Sequence, residues 1–138
     1  MDNKITVTAT INADVKKVWD YYTNPTHIVN WNFADPSWHC PTATNDMKVG
    51  GVYKARMEAK DGSFGFDFEA VYNEIIPEKK IVYTIADGRK VINTFEEKNG
   101  ETSVITEFEA ESQNPIEMQK GGWQSILNNF KNYTEANG

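Results

Sequence analysis

KKIVYTIADGRKVINTFEEKNGETSVITEFEAE, residues 79–111, carries two turn signals between three runs of alternating apolar side chains. Ile81, Tyr83 and Ile85 share one parity, as do Val91, Asn93 and Phe95, and then Val104, Thr106 and Phe108. A period of two marks strands with one buried face. Asp87-Gly88 and Asn99-Gly100 are residue pairs favoured in two-residue hairpin turns, whose central residues need positive φ. The stretch therefore predicts an antiparallel meander. Upstream, GGVYKARMEA, a third such pair at Asp61-Gly62, and FGFDFEAVYNEI ending at Pro77 repeat the pattern. The three turn signals are read as joining four meander strands. The inward parity here is Tyr53, Ala55 and Met57, then Phe66, Phe68, Ala70 and Tyr72, with bulges able to flip parts of this assignment.

Before the meander, ITVTATINA places Ile5, Val7, Ala9 and Ile11 on one face of a further strand. Asn12 or Asp14 can cap a helix through Tyr22, with Val15, Val18, Trp19 and Tyr22 on its buried side and Asn24-Pro25 as its stop. A short helical turn is expected over residues 26–31. NFADPSWHCPTATND, residues 32–46, lacks either periodicity and reads as a long irregular excursion. After the meander, Asn114-Pro115 starts a final helix in which Trp123, Ile126, Leu127, Phe130 and Tyr133 recur at helical spacing. Gly121-Gly122 interrupts it at a cost of about 1 kcal/mol per glycine relative to alanine. Two readings stay open: the missing side chains let the helix approach the strands or bend, or a short turn ends near Lys120 and the helix restarts.

These faces predict an α+β helix-grip arrangement. A curved antiparallel sheet of six to seven strands wraps around the long C-terminal helix, and two short helices follow the first strand. The 138 residues suit one domain over 1–138, large enough to bury about two thirds of its unfolded surface. A net charge of −6 disfavours polyanions, so nucleic acid is not an expected partner. No apolar run is long enough to enter a membrane as a spanning helix, and MDNKITVTATI lacks the apolar core of a secretory leader. The single Cys40 excludes an intramolecular disulfide and fits a reducing, cytoplasmic location.

INADVKKVW (11–19), NPTHIVNW (24–31), WHCP (38–41), VGGVYKARMEAKDGSFGFDFEAVYNEIIP (49–77) and GGWQSILNNF (121–130) together resemble the START-like (SRPBCC) superfamily. Within it they resemble the small bacterial proteins similar to the C-terminal domain of the activator of heat-shock protein 90 ATPase. The resemblance implies a mostly apolar cavity between sheet and helix, opening near the long loop. Members of the wider superfamily carry lipids, sterols, polyketides or plant hormones, and some catalyse reactions on them. The eukaryotic activator has an additional N-terminal domain that engages the chaperone, for which 138 residues leave no room.

The cavity expected from this resemblance is walled on the sheet by Tyr53, Met57, Phe66, Phe68, Tyr83 and Phe95. Trp123, Ile126 and Leu127 face it from the helix, and Trp31, Trp38 and His39 stand at its mouth. Every one of these side chains is equally suited to plain core packing. The expected occupant is an apolar small molecule, with no cofactor, and the chain is expected as a monomer or homodimer. His39 and Cys40 are adjacent and lack a companion CxxC or HxxxH, so neither a metal site nor a catalytic pair is assigned. Arg56 and Arg89 are read as solvent ion-pair formers. An enzyme using the same cavity, with Tyr, His39 or Asn93 as acid or base, and a chaperone-associated interaction domain with an exposed apolar patch are the alternatives.

Overall fold

The computed structural model describes residues 4–137. Residues 1–3, at the head of the stretch read as lacking a leader, and residue 138, at the end of the assigned span, lie outside it. The first strand, β1 (Lys4–Ile11), alternates exposed and buried positions along its whole length. Helix α1 (Val15–Thr23) starts at Asp14, whose carboxylate accepts the Lys17 N–H at 2.9 Å, so Asp14 and not Asn12 is the cap. Asn24 closes α1 and opens α2 (Pro25–Ile28), its side chain accepting the Thr26 N–H at 3.0 Å. Pro25 occupies a position whose N–H has no helical partner.

The segment expected to be irregular contains a strand, β2 (Trp38–Asn45), a correction to the sequence reading. It pairs antiparallel with β3 (Val52–Ala59), and the register shifts between His39 and Thr42. That irregularity and Pro41 erase the period-two pattern. An edge strand tolerates both, because half of its backbone groups need no ladder partner.

After β3 come β4 (Gly65–Ile76), β5 (Lys80–Ile85), β6 (Lys90–Lys98) and β7 (Glu101–Glu109). The meander therefore has five strands, not four. The fourth junction, between β4 and β5, carries no Asp-Gly or Asn-Gly pair; Glu78 makes that turn at φ 64°. Asn99 and Gly100 both adopt positive φ, as the predicted hairpin turn requires. Seven strands form one antiparallel sheet in the order β1-β7-β6-β5-β4-β3-β2.

The inward parity is buried almost throughout, from Ala55 and Ala70 to Val91, Val104 and Phe108. Phe66 departs from it at 43% exposed, and Phe68 is half-buried; both border the pocket on the concave face, Phe66 also beside the exposed Phe64. Helix α3 (Ile116–Ala136) crosses the concave face and buries Leu127 and Phe130. The architecture is the α+β helix grip. Gln124 Nε2 and Lys131 Nζ donate to the Thr8 and Thr10 carbonyls of edge strand β1, at 3.0 and 2.6 Å. At the start of α3, the Gln119 side chain donates to the Glu111 and Asn114 carbonyls and accepts the Glu111 N–H, pinning the loop from β7.

α3 runs unbroken through Gly121 and Gly122, and a methyl group at either would meet no atom within 4 Å beyond its chain neighbours and the helix's own backbone. Neither a close approach to the strands nor a helix boundary occurs there.

Candidate functional site

Between the sheet's concave face, α1, α2 and α3 lies a pocket of about 360 Å³. Its aromatic walls are set by ring packing. Trp123 stacks on Phe108, with ring centroids 4.1 Å apart and planes 19° apart, and meets Phe68 edge-on at 6.4 Å. Trp31 stacks on Tyr22 at 5.3 Å and meets Phe130 edge-on at 4.9 Å. The Trp31 indole N–H donates to the Tyr21 carbonyl at 3.0 Å, which fixes the ring just beyond the end of α2.

Of the residues expected at a cavity, Trp31, Tyr53, Met57, Phe66, Phe68 and Tyr83 line the pocket, as do Trp123, Ile126 and Leu127 from or beside α3. Three do not. Phe95 is buried behind the wall, edge-on to Trp19 and Tyr22. Trp38 stands beside Phe64 and Phe66, at 5.9 and 6.1 Å, on a surface aromatic cluster. His39 is not at the pocket mouth. It pairs in register with Glu58 on β3, its Nε2 3.7 Å from the carboxylate, on the outward parity with Arg56 and Asp67.

The side chains that sequence reasoning did not assign to the site are mostly polar. Tyr22 and Tyr72 join the expected phenols Tyr53 and Tyr83 in lining the pocket, together with Thr106, Asn32 and Asn45. Tyr22 Oη donates to Asn93 Oδ1 at 3.0 Å, and Thr106 Oγ1 donates to the same oxygen at 2.9 Å. Asn32 Nδ2 donates to Tyr53 Oη at 3.0 Å, and Tyr72 Oη donates to Asn45 Oδ1. Tyr72 and Thr106 already carried the inward parity. Asn32 and Asn45 sit where no periodicity marks a face.

Burial makes all four phenols weaker acids. It pushes Tyr22 up to about 12 and raises Tyr72 further, against the pull of its bond to Asn45. Tyr53 and Tyr83 lie well above the ordinary phenol value, through burial and then through repulsion among the neighbouring phenolates that ionisation would create. At neutral pH these groups are uncharged hydrogen-bond donors, not bases.

The pocket's charged residues are Arg89 and Glu111. Arg89 is more than the solvent ion-pair former that was expected. Its Nε holds Asp87 at 2.8 Å and its Nη1 donates to the Glu109 carbonyl at 3.0 Å. Glu111 accepts the Gln113 and Asn114 N–H groups. Cys40 is buried, its Sγ directed at the Thr42 carbonyl, and burial pushes its thiol up to about 11. Among the described residues, no three His, Cys, Asp or Glu side chains are grouped to hold a metal ion. Among the same residues, no helix is long and apolar enough to cross a membrane.

The solution structure of the AHSA1-like protein of Aeromonas hydrophila matches with a TM-score of 0.91 at 38% identity, over 96% of this chain and 92% of that one. A protein of Cytophaga hutchinsonii is 49% identical over 98% of this chain and 94% of its own, with a TM-score of 0.84. A protein of Chromobacterium violaceum, 22% identical with a TM-score of 0.86 over 98% of this chain and 99% of its own, shares the fold. No curated protein matches the chain in sequence. The family model described as activator of Hsp90 ATPase homolog 1-like protein matches residues 12–135, and with that span and these neighbours the chain belongs to this family, on the START-like helix-grip fold.

Proposed function

We propose that the domain is a small-molecule binding protein that holds an apolar ligand between the sheet and α3. The observation that carries this reading is the unfilled space of about 360 Å³ walled by Trp31, Phe66, Phe68 and Trp123, in the size range of small-molecule sites. Aromatic walls give such a ligand large contact areas, and the phenol, amide and threonine groups among them would orient it. Thermal shift against fatty acids, sterols, flavonoids and polyketides tests the reading, alongside native mass spectrometry for a co-purified ligand. At least one compound class raises the melting temperature. An unmoved melting temperature across the panel, with a ligand-free native mass spectrum, overturns the reading.

A turnover reading is less favoured, because the phenols are held neutral and Glu111 is engaged by loop N–H groups. A chaperone-associated interaction role draws support from the surface cluster of Trp38, Phe64 and Phe66, with Phe64 63% exposed. Replacing Phe64 by Ser and measuring recovery of chaperone in a pull-down tests it; equal recovery with both proteins counts against that surface.

A further inference from the structure

The phenols of the pocket do not all spend their protons. Tyr22 Oη donates to Asn93, and Tyr72 Oη donates to Asn45. Tyr53 Oη only accepts, from Asn32 Nδ2, which leaves its own O–H without an acceptor among the described residues. Tyr83 Oη makes no direct hydrogen bond of normal length there. Both side chains are at least nine-tenths buried, at 9% and 6% exposure, and both line the pocket with ring centroids 6.2 Å apart.

Asn93 sets the direction of this hydrogen-bond chain. It lies in register between Ile81 and Thr106, which line the pocket on either side of it. Its Oδ1 receives Tyr22 and Thr106, so its amide N–H₂ points away from them. That nitrogen is buried with no partner at hydrogen-bonding distance among the described residues. No side chain among the described residues therefore holds the Tyr83 hydroxyl, which is left to turn toward an acceptor that enters the pocket.

The charge of the site narrows the class further. Arg89, the one cation among the described residues that line the pocket, already shares its charge with Asp87 and donates to the Glu109 carbonyl, so an anionic group at the phenol floor would meet a cation that a carboxylate has largely neutralised. Burying an unpaired carboxylate is far costlier than burying a carbonyl that receives hydrogen bonds.

We propose that the Tyr53 and Tyr83 hydroxyls are the donors that receive an acceptor oxygen, of carbonyl type, on an uncharged, largely apolar ligand. This rests on the reading of the pocket as a ligand site. It separates such molecules from fatty-acid-like anions, which the same apolar walls would otherwise admit.

Three probes of one ring skeleton test it by titration calorimetry: fluorenone, fluorene and fluorene-9-carboxylate. Fluorenone binds at least tenfold tighter than fluorene, and the carboxylate binds weakest. Tyr83→Phe, which removes only the oxygen, lowers fluorenone affinity about tenfold and leaves fluorene unchanged; Tyr53→Phe acts in the same direction. Because no side chain among the described residues bonds the Tyr83 hydroxyl, unliganded Tyr83→Phe melts no lower than the unsubstituted protein. Equal affinity for fluorenone and fluorene, or a Tyr83→Phe effect shared by both, overturns the donor assignment while leaving the pocket as a binding site. Binding by none of the three probes overturns the site itself.

Discussion

Trp123 lies flat on Phe108 at 4.1 Å, so one aromatic pair both fastens α3 to β7 and presents a wall to the pocket. Trp123→Ala removes the pair and enlarges the pocket. The expected loss is about 2–3 kcal/mol, below the range for a fully buried tryptophan because this one is only half-buried. Urea unfolding followed by circular dichroism measures it, and Trp123→Phe recovers a large part of the loss.

Gly121 and Gly122 sit mid-helix with open space where their side chains would be. Alanine at each position is expected to stabilise the protein by about 1 kcal/mol, through helix propensity and a more restricted unfolded chain. A rise in the urea midpoint at unchanged slope is the expected result. A fall in the midpoint would overturn this account of the glycine pair.

Cys40 is expected to resist modification in the folded protein. Its thiol is buried and pushed up to about 11, and the thiolate is the reactive form. A chromogenic disulfide reagent at pH 8 reacts slowly without denaturant and rapidly in urea. Fast labelling of the native protein would place Cys40 at the surface.

Stability is expected to fall at alkaline pH. Tyr22, Tyr53, Tyr72 and Tyr83 hold their protons more tightly folded than at the ordinary phenol value of 10.0, so above that value the folded chain binds more protons than the unfolded one. Their contribution is fully present below pH 10 and is lost as the pH rises through about 12, where Tyr22 titrates. Thermal melts between pH 8 and pH 11.5 follow the loss. Phenolate absorbance from these four residues emerges together with unfolding, and a Tyr22→Phe variant shows a shallower decline.

The parity of Tyr53, Met57 and Tyr83 could be read from the sequence because a strand face repeats every second residue, and the turns at Asp87-Gly88 and Asn99-Gly100 are fixed by local backbone demands. β2 could not be read this way. Its extended state depends on pairing with β3, and Pro41 together with the shift after His39 removes the local signature. His39 was misplaced for the same reason, since only the register opposite Glu58 shows which way it faces. The polar half of the pocket was hidden for another reason. Asn32 lies in a loop and Asn45 on the irregular β2, opposite inward-facing Tyr53, so no periodicity marks either; and Arg89 beside a turn looks the same in sequence whether it faces solvent or closes over a cavity.

The bonds from Gln124 and Lys131 to the Thr8 and Thr10 carbonyls occupy acceptors that an unprotected border strand would offer to another chain. At the opposite border, Pro41 and the broken register of β2 spoil the template that a growing fibril needs. A seven-stranded open sheet thus resists self-templated aggregation at both borders by different means, one supplied by the helix that grips it and the other by the irregularity that disguised β2.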